Sequence, residues 1–315
     1  MPDLKKGLVI RSTGSWYDVR LEDGEIVQCR IQGNFRISGI RSTNPIAVGD
    51  WVDFELEEDE TGVIRNIHDR ENYIVRKSVN LSKRSHIIAS NVDQAILVVT
   101  ISSPRTSTGF IDRFLISAEA YRIPIKIVFN KIDLLDEEEK KQLKYLNWLY
   151  SSIGYECLEV SATDKIGTDV VKALMKDKVT MVSGHSGVGK STLINAVDPE
   201  LDLKTGDVSE AHYKGKHTTT FAEMFELSFG GFIVDTPGVK GFGVIDIEKR
   251  ELAHFFFEMR ALMGNCKFNN CLHINEPGCA VMAALEEGEI PAERYANYLS
   301  IYEDEEEETY RGKGY

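Results

Sequence analysis

Residues 179–191 read Val-Thr-Met-Val-Ser-Gly-His-Ser-Gly-Val-Gly-Lys-Ser, an apolar run followed by a glycine-rich turn. The run predicts a buried strand over Val179–Ser183, and the residues from Lys190 onward predict a helix. A Gly-x4-Gly-Lys-Ser turn between a strand and a helix is the phosphate-binding loop of nucleotide-binding α/β proteins. This stretch therefore predicts a parallel α/β sheet with a phosphate site at its edge.

Each residue type in this loop suits one part of a bound nucleotide. The glycines let backbone N–H groups curl round the phosphates, Lys190 places a positive charge on the β and γ oxygens, and the Ser191 hydroxyl can ligate Mg²⁺. Within this loop, the residues that we assign to nucleotide binding are Gly184, His185, Ser186, Gly187, Val188, Gly189, Lys190, Ser191 and Thr192.

A second motif, Asp235-Thr236-Pro237-Gly238, ends a predicted strand at Phe232–Val234. Open α/β sheets bind ligands at such carboxyl strand ends. The Asp235 carboxylate would hold Mg²⁺ through water, and the Gly238 N–H would contact the γ-phosphate. The tetrapeptide also suits a simple turn, but the phosphate-binding loop about fifty residues upstream favours the catalytic interpretation.

Between these motifs lies the segment Lys214–Thr220, which ends in three threonines. A switch loop should supply a threonine to Mg²⁺ at this place. We choose Thr219 and leave Thr218 and Thr220 open. A run of threonines also simply favours a strand.

The residue after Asp-Thr-Pro-Gly is Val239, where Ras-like enzymes place a water-orienting Gln. A valine cannot orient or deprotonate water, so either intrinsic hydrolysis is very slow or another side chain takes the task. His217 heads the threonine run, and a neutral imidazole there could order the attacking water. The competing interpretation is a solvated histidine in a loop.

Asn130-Lys131-Ile132-Asp133 follows a predicted strand at Ile125–Phe129 and is suited to select the base. A carboxylate such as Asp133 accepts two hydrogen bonds from guanine N1 and N2, which adenine cannot donate, while the Lys131 stem covers the ring. Ser161-Ala162 follows the next strand and fits the loop whose backbone N–H meets guanine O6. The predicted ligands are therefore GTP or GDP with Mg²⁺.

The order of these motifs is inverted. In an ordinary P-loop GTPase the phosphate-binding loop comes first and the guanine-reading motif much later, whereas here Asn130–Asp133 precedes Gly184–Ser191. The inversion indicates a GTPase domain that has been cut and rejoined elsewhere, which is a circular permutation.

A cluster of soft ligands follows the nucleotide motifs. The pattern Cys266-x4-Cys271-x-His273-x5-Cys279 supplies four ligands within fourteen residues, which suits one tetrahedral Zn²⁺ in a closed structural site. Buried reduced cysteines are the competing interpretation. The apolar residues around this cluster recur at helical spacing, and we assign their aromatic side chains to packing.

The first seventy residues predict short strands with alternating apolar residues, among them Tyr17–Leu21 and Glu25–Ile31 around the hairpin signal Asp23-Gly24. About five such strands suit a small OB-type barrel, although any small β-domain would show the same period. Residues 71–91 predict a linker or ordered loop. A basic cluster runs into this segment, and its members are Arg65, Arg70, Arg76, Lys77, Lys83 and Arg84.

Length and composition set the frame for these motifs. The chain has 315 residues, a formal net charge of −13, 42% hydrophobic residues and no apolar run of about 18 residues, so we expect a cytosolic protein without a membrane span. The net charge disfavours a nucleic-acid partner, but the basic cluster can make the local field positive. We assign no function to the acidic stretch 303–308.

The fold class that follows is multidomain. We predict an OB-fold RNA-binding barrel over 1–70, a circularly permuted α/β P-loop GTPase domain over 71–244 with its linker at 71–91, and a helical zinc-binding domain over 245–315. The alternation of strands and helices from Ala95 to Val234 predicts the doubly wound sheet of the central domain.

The permuted motif order, the barrel before it and the Cys/His cluster after it closely resemble the RsgA (YjeQ/YloQ) family of bacterial GTPases, and the resemblance covers essentially the whole chain. It implies a GTPase that acts late in small-subunit assembly and is stimulated by that subunit. The implied partners are the small ribosomal subunit and its rRNA. By motif, it implies His217 as the catalytic histidine and Cys266, Cys271, His273 and Cys279 as zinc ligands.

Two other functions fit parts of the sequence. An RNA-binding module with a passive guanine nucleotide site draws support from Val239, although Lys190, Ser191 and Asp235 are all present. A GTPase that acts on protein or membrane cargo lacks a basic amphipathic helix or a lipidation signal in its favour. We expect a monomer and no membrane partner.

Overall fold

In the computed structural model, which describes residues 4–31, 45–76, 86–201, 203, 223–235 and 247–311, the first five strands form a barrel. They are β1 (Leu4–Ser12), β2 (Trp16–Arg20), β3 (Ile26–Ile31), β4 (Trp51–Leu56) and β5 (Gly62–Ile67). Their order is β1-β2-β3-β5-β4, and β4 also pairs with β1, which closes the barrel. The β3–β5 pair is parallel and the others are antiparallel. The predicted OB-type barrel is confirmed.

Buried and exposed residues alternate along these strands, and the buried ones form the core of the barrel. In β3, Val27 and Cys29 are buried while Ile26 and Gln28 are exposed, and in β4 Val52 and Phe54 fill the interior. Alternate side chains of a strand point to opposite faces, so one face supplies the barrel core and the other meets solvent.

A buried ion pair joins the barrel to the segment that follows it. Arg70 donates from Nε to one Asp50 carboxylate oxygen at 2.6 Å and from a terminal nitrogen to the other at 2.5 Å. The Ser90 hydroxyl donates to Asp50 at 2.6 Å. The Arg70 side chain is only 8% exposed, and Arg65 pairs with Glu55 at 2.8 Å. The expectation of a positive field from the basic cluster is therefore wrong at these two positions, because protein carboxylates neutralise both.

The segment 71–91, predicted as a linker or ordered loop, contains two paired strands among its described residues. β6 (Tyr73–Arg76) and β7 (His86–Ser90) pair antiparallel, and Ala89 forms a parallel bridge with Val48. Ile74 and Ala89 belong to the large core of the central domain. Burial of these apolar residues outweighs the polarity of the basic residues between them, which is why hydrophobic periodicity alone missed the hairpin.

Six strands form the central sheet: β8 (Gln94–Val99), β9 (Ile125–Asn130), β10 (Glu156–Val160), β11 (Val179–Ser183), β12 (Glu223–Glu226) and β13 (Phe232–Asp235). Their order is β10-β9-β8-β11-β13-β12. Neighbouring strands are parallel except β12, which is antiparallel to β13. Every residue of β8 is buried, as expected for a strand that is covered on both faces.

Among the described residues, four helices cover the two faces of this sheet: α1 (Thr108–Ala120), α2 (Glu137–Ser152), α3 (Thr168–Met175) and α4 (Lys190–Val197). The buried side chains of α1 and α2 share one core with the sheet, and those of α3 and α4 share another. The predicted doubly wound α/β domain is confirmed. Its edge strand β12 lies beside β1 of the barrel, where Arg11 is the partner of Glu223.

The chain from residue 247 is helical, as predicted. It forms α5 (Phe257–Arg260), α6 (Ala280–Glu286) and α7 (Ala292–Arg311), with 3₁₀ turns at Lys249–Phe255 and Met263–Asn265. The aromatic residues that the sequence analysis assigned to packing do line the core of this domain, where Phe256 and Tyr298 are fully buried. None of the described helices combines the length and apolar character that crossing a bilayer requires.

Candidate functional site

The glycine-rich loop lies between the carboxyl end of β11 and the start of α4, as predicted. Gly189 takes φ +94° and precedes the first residue of α4. A Cβ on Gly189 would lie 2.5 Å from the Asn130 side-chain nitrogen, and one on Gly184 would lie 2.2 Å from the Val98 carbonyl oxygen. Both positions therefore need glycine for close approach as well as for backbone conformation. The loop is thus pressed against the ends of β8 and β9.

Lys190 begins α4 with its ammonium group turned back into the loop. Its Nζ donates to the Gly184 carbonyl at 2.8 Å and to the His185 carbonyl at 2.7 Å. Burial lowers the pKa of Lys190, and phosphate oxygens would oppose this shift because they favour the charged form. Ser191 is buried in the first turn of α4, where its hydroxyl can serve as a Mg²⁺ ligand.

The Asn130 side chain ties the nucleotide loops to one another. Its Nδ2 donates to the Val188 carbonyl at 2.9 Å, and its Oδ1 accepts the Ala162 N–H at 3.2 Å. Asn130 is only 3% exposed. The residue therefore joins the phosphate-binding loop to the Ser161-Ala162 loop, a positioning role that the sequence analysis did not foresee for it.

Lys131 lies between the base-reading motif and the phosphate-binding loop. Its backbone is left-handed, with φ +64°, and its Nζ donates to the Gly187 carbonyl at 2.6 Å and to the Ser103 carbonyl at 2.7 Å. The side-chain stem thus reaches from the base-reading motif to the phosphate-binding loop. This geometry supports the proposal that the stem covers the face of a bound base.

Asp133 lies in the 3₁₀ turn Ile132–Leu134, and its side chain is exposed at the sheet edge. Ser161 is buried, and its hydroxyl accepts the Asp164 N–H at 3.1 Å. The Ala162 N–H, which we expect to meet guanine O6, is donated to Asn130 at the long end of the hydrogen-bond range, so a base could share or replace that contact.

We expect Asp133→Asn to weaken GTP binding by about tenfold or more, because a hydrogen bond to a charged group contributes roughly 1.5–3 kcal/mol. Xanthine has a carbonyl group where guanine has its 2-amino group, so the new amide should favour xanthosine triphosphate. Fluorescence titration of both nucleotides measures the exchange. Asp169→Asn, on the exposed first turn of α3, is the matched control. Unchanged guanine preference in Asp133→Asn would refute the assignment.

Asp235 ends β13, the strand beside β11 in the sheet, with Met181 the partner of Val234. The backbone of Asp235, the first residue of the second motif, therefore lies at the same sheet edge as the phosphate-binding loop. The predicted positions Thr219, with Thr218 and Thr220 as alternatives, His217, Gly238 and Val239 lie outside the described residues. Their roles stay predictions.

The four predicted metal ligands lie together in the helical domain. The ligand atoms of Cys266, Cys271, His273 and Cys279 all lie within 4.8 Å of one another. His273 Nδ1 is 3.6 Å from Cys266 Sγ and 3.4 Å from Cys279 Sγ. Tetrahedral Zn²⁺ with its usual bond lengths keeps sulfur and nitrogen ligands about 3.5 Å apart. The donor set therefore fits Zn²⁺ in a closed structural site.

Residues outside the ligand pattern hold the zinc loop in shape. The Glu276 carboxylate accepts backbone N–H groups from Leu272 at 2.8 Å, Ile274 at 2.9 Å and Asn275 at 3.1 Å. Despite partial burial, these bonds bring the pKa of Glu276 to about 2. The sequence analysis missed Glu276. The turn signal Asn-Glu-Pro-Gly at 275–278 was the available hint.

Two tyrosines of α7 attach that helix to the same loop. Tyr295 donates its hydroxyl proton to the His273 carbonyl at 2.8 Å, and Tyr298 donates to the Leu272 carbonyl at 2.6 Å. The aromatic stripe of α7 is core packing, as predicted, but its hydroxyl groups also satisfy buried carbonyls beside a metal ligand.

The chain matches known proteins over nearly its whole length. The RsgA N-terminal domain model matches residues 6–64, and the RsgA GTPase model matches residues 67–245. The chain is 56% identical over 306 residues to the small ribosomal subunit biogenesis GTPase RsgA of Bacteroides fragilis, covering 97% of this chain and 99% of that protein. The protein of the same name from Flavobacterium johnsoniae is 58% identical, with 96% and 94% covered.

Solved structures show the same architecture. YjeQ from Thermotoga maritima superposes with a TM-score of 0.80 and 36% identity, covering 96% of this chain and 98% of that one. YloQ, described as a circularly permuted GTPase, superposes with a TM-score of 0.76 and 31% identity, covering 97% and 96%. The permuted order of the nucleotide motifs and these comparisons lead to one conclusion: the chain belongs to the RsgA family of circularly permuted GTPases.

Proposed function

We propose that this chain hydrolyses GTP while it is bound to the small ribosomal subunit and thereby assists late maturation of that subunit. The observation that carries the proposal is similarity over 97% of the chain to proteins named small ribosomal subunit biogenesis GTPase, with the nucleotide loops assembled at one sheet edge. The proposal includes rRNA as the contacted surface, a monomeric protein and a cytoplasmic place of action.

The chain's own residues divide the work of the reaction. Asp133 accepts hydrogen bonds from the base, Lys131 covers its face, and the N–H groups of Gly184–Ser191 surround the phosphates. Lys190 can exchange its two carbonyl contacts for β and γ oxygens, which are stronger acceptors. Each of these contacts positions the triphosphate, and positioning with charge stabilisation supplies most of phosphoryl-transfer catalysis.

Magnesium and water complete the proposed site. Ser191 and Thr219 would hold Mg²⁺ directly and Asp235 would hold it through water, so that the ion neutralises charge on the phosphates. His217 would order the attacking water in place of the Gln that Val239 replaces. Gly238 would donate its N–H to the γ-phosphate.

The barrel offers features that suit RNA. Trp16 and Trp51 are 40% and 36% exposed, and the Lys6 ammonium lies 5.0 Å from the centre of the Trp51 ring. Exposed aromatic rings beside a cation can stack on unpaired bases. These residues support rRNA contact by the barrel better than Arg65 or Arg70, whose charges are already paired.

The test is phosphate release from GTP with and without purified small subunits, with large subunits as the control partner. We expect small subunits, but not large subunits, to raise the turnover rate by about tenfold or more. Activating partners supply roughly 10³–10⁵-fold in other GTPases. Equal rates with small subunits, with large subunits and without either would reject the proposal and favour a passive nucleotide site.

A further inference from the structure

Helix α1 lies between the phosphate-binding loop and the zinc-bearing domain. Ile111, Phe114 and Leu115 bury one face of α1 in the core of the central sheet. Ile116, on the opposite side, belongs to the core of the C-terminal domain. One helix thus contributes to two cores, so a displacement in either one reaches the other through a rigid element.

The first turn of α1 supports the phosphate-binding loop directly. The Phe110 ring packs on the His185 ring with 3.7 Å between ring centres and 31° between their planes. His185 is the loop residue whose carbonyl accepts a hydrogen bond from Lys190 at 2.7 Å. Burial and the neighbouring Lys190 lower the pKa of His185, which favours the neutral ring. The position of Phe110 therefore influences where the lysine-binding end of the loop lies.

The first two turns of α1 also contact α7 through polar side chains. The Thr108 hydroxyl donates to Glu293 at 2.8 Å. Asp112 forms an ion pair with Arg294 and accepts from Asn297 at 2.6 Å, and both charged side chains are 0% exposed. Arg294 also donates to Glu258 of α5 at 2.7 Å. Separation of α1 from α7 would deprive the buried Asp112 carboxylate of its charged partner, so this ion pair holds the two helices together.

Helix α7 in turn holds the metal-binding loop. Its Tyr295 and Tyr298 hydroxyls donate to the carbonyls of His273 and Leu272. The described residues thus form a continuous series of contacts: metal loop to α7, α7 to α1, and α1 through Phe110 to His185. Two helices and short polar or ring contacts join the two loops.

We propose that α1 couples the nucleotide site to the zinc domain, with Phe110 as the residue that positions the phosphate-binding loop and Thr108 as a second, polar connection to α7. Nucleotide binding then changes the stability of the zinc loop, and events at the zinc domain change nucleotide binding by the same factor, because linkage is reciprocal. The proposal rests on the assigned nucleotide and zinc sites and does not require the ribosomal partner.

The experiment measures the equilibrium distribution of zinc between the full-length protein and a chromogenic chelator. The apparent zinc affinity is compared without nucleotide, with saturating GDP and with a saturating non-hydrolysable GTP analogue. We expect one of the nucleotides to change this affinity by about fivefold or more in the unaltered chain, since coupling of this kind is typically 5–150-fold. No nucleotide effect in that chain would overturn the proposal.

Two substitutions locate the path. Phe110→Leu removes the ring contact with His185, and Thr108→Val removes the hydroxyl that bonds Glu293 at nearly constant volume. We expect each to reduce the nucleotide effect to less than about half its size while the protein still binds nucleotide and zinc. Thr168→Val is the matched control, because Thr168 also begins a helix but bonds locally to the Lys165 carbonyl at 3.2 Å.

The double variant separates one path from two. If Phe110 and Thr108 act in one series, Phe110→Leu/Thr108→Val shows little further loss beyond the single variants. Coupling carried by the covalent connection after Asp235 would survive in both single variants, and that result would overturn the proposal. No ribosomal subunit is present in this assay, so its outcome is independent of the stimulation test for the proposed function.

Discussion

We expect removal of zinc to unfold the C-terminal domain from residue 247 onward while the barrel and the central sheet stay folded. The expected effect is large, because structural Zn²⁺ binds small domains with an apparent free energy of roughly 10–16 kcal/mol. Without the ion, the loop 266–279 would lose the metal that joins the ligand atoms of Cys266, Cys271, His273 and Cys279, and Cys271 and Cys279 lie in the core of this domain. A loss of this size is comparable to the whole stability of a domain, which is about 5–15 kcal/mol.

Two measurements check this prediction. Elemental analysis should find about one Zn²⁺ per chain, and limited proteolysis after chelation should cut within 247–303 but not within β8–β11. Cys279→Ser should reproduce the effect of the chelator. Cys157→Ser is the matched control, because Cys157 lies in β10, outside the cluster. We expect this variant to keep its zinc. A zinc-free chain with an unchanged unfolding temperature would contradict the metal assignment.

Motifs with a fixed local context could be predicted from the sequence. The strand Val179–Ser183 and the helix from Lys190 have the predicted limits, because apolar period and glycine placement are local properties. The metal cluster was also local, since its four ligands lie within fourteen residues. Even the permuted domain could be recognised, because motif order is a property of the sequence itself.

Contacts between distant segments could not be predicted in this way. Arg70 looked like part of a nucleic-acid surface, but it is buried against Asp50, twenty residues earlier. Arg294 and Asp112 lie 182 positions apart, and neither belongs to a motif. Whether a charged residue faces solvent or a buried partner depends on which helices meet, and single-sequence periodicity does not contain that information.

The permutation places one flanking domain at each new end of the nucleotide-binding domain. Its amino-terminal end brings the barrel beside β12, where Arg20 of β2 pairs with Glu226 at 2.5 Å. At its other end, the motif Asp235–Gly238 is followed in the chain by the zinc domain. That domain packs on α1 through the ion pair of Arg294 and Asp112. Both flanking domains therefore contact the nucleotide-binding domain, the barrel at its edge strand β12 and the zinc domain at α1.

Replacement of Lys190 by alanine should lower kcat/KM for GTP by roughly 10²–10³-fold, about the cost of losing one preorganised charge-stabilising donor. The reason is geometric as well as electrostatic. Two loop carbonyls hold the ammonium at the start of α4. When a nucleotide binds, the ammonium can donate these hydrogen bonds to β and γ oxygens instead. Alanine also removes two bonds that shape the loop, so GTP affinity should fall together with turnover.

Single-turnover phosphate release and a separate nucleotide titration distinguish these two losses. Lys190→Arg keeps the charge but not the compact ammonium, so it should recover binding better than turnover. Lys176→Ala, an exposed lysine just after α3, is the matched control and should behave as the unaltered chain does. Normal turnover in Lys190→Ala, with subunits present, would mean that the reaction does not use this loop, and the catalytic assignment would have to be abandoned.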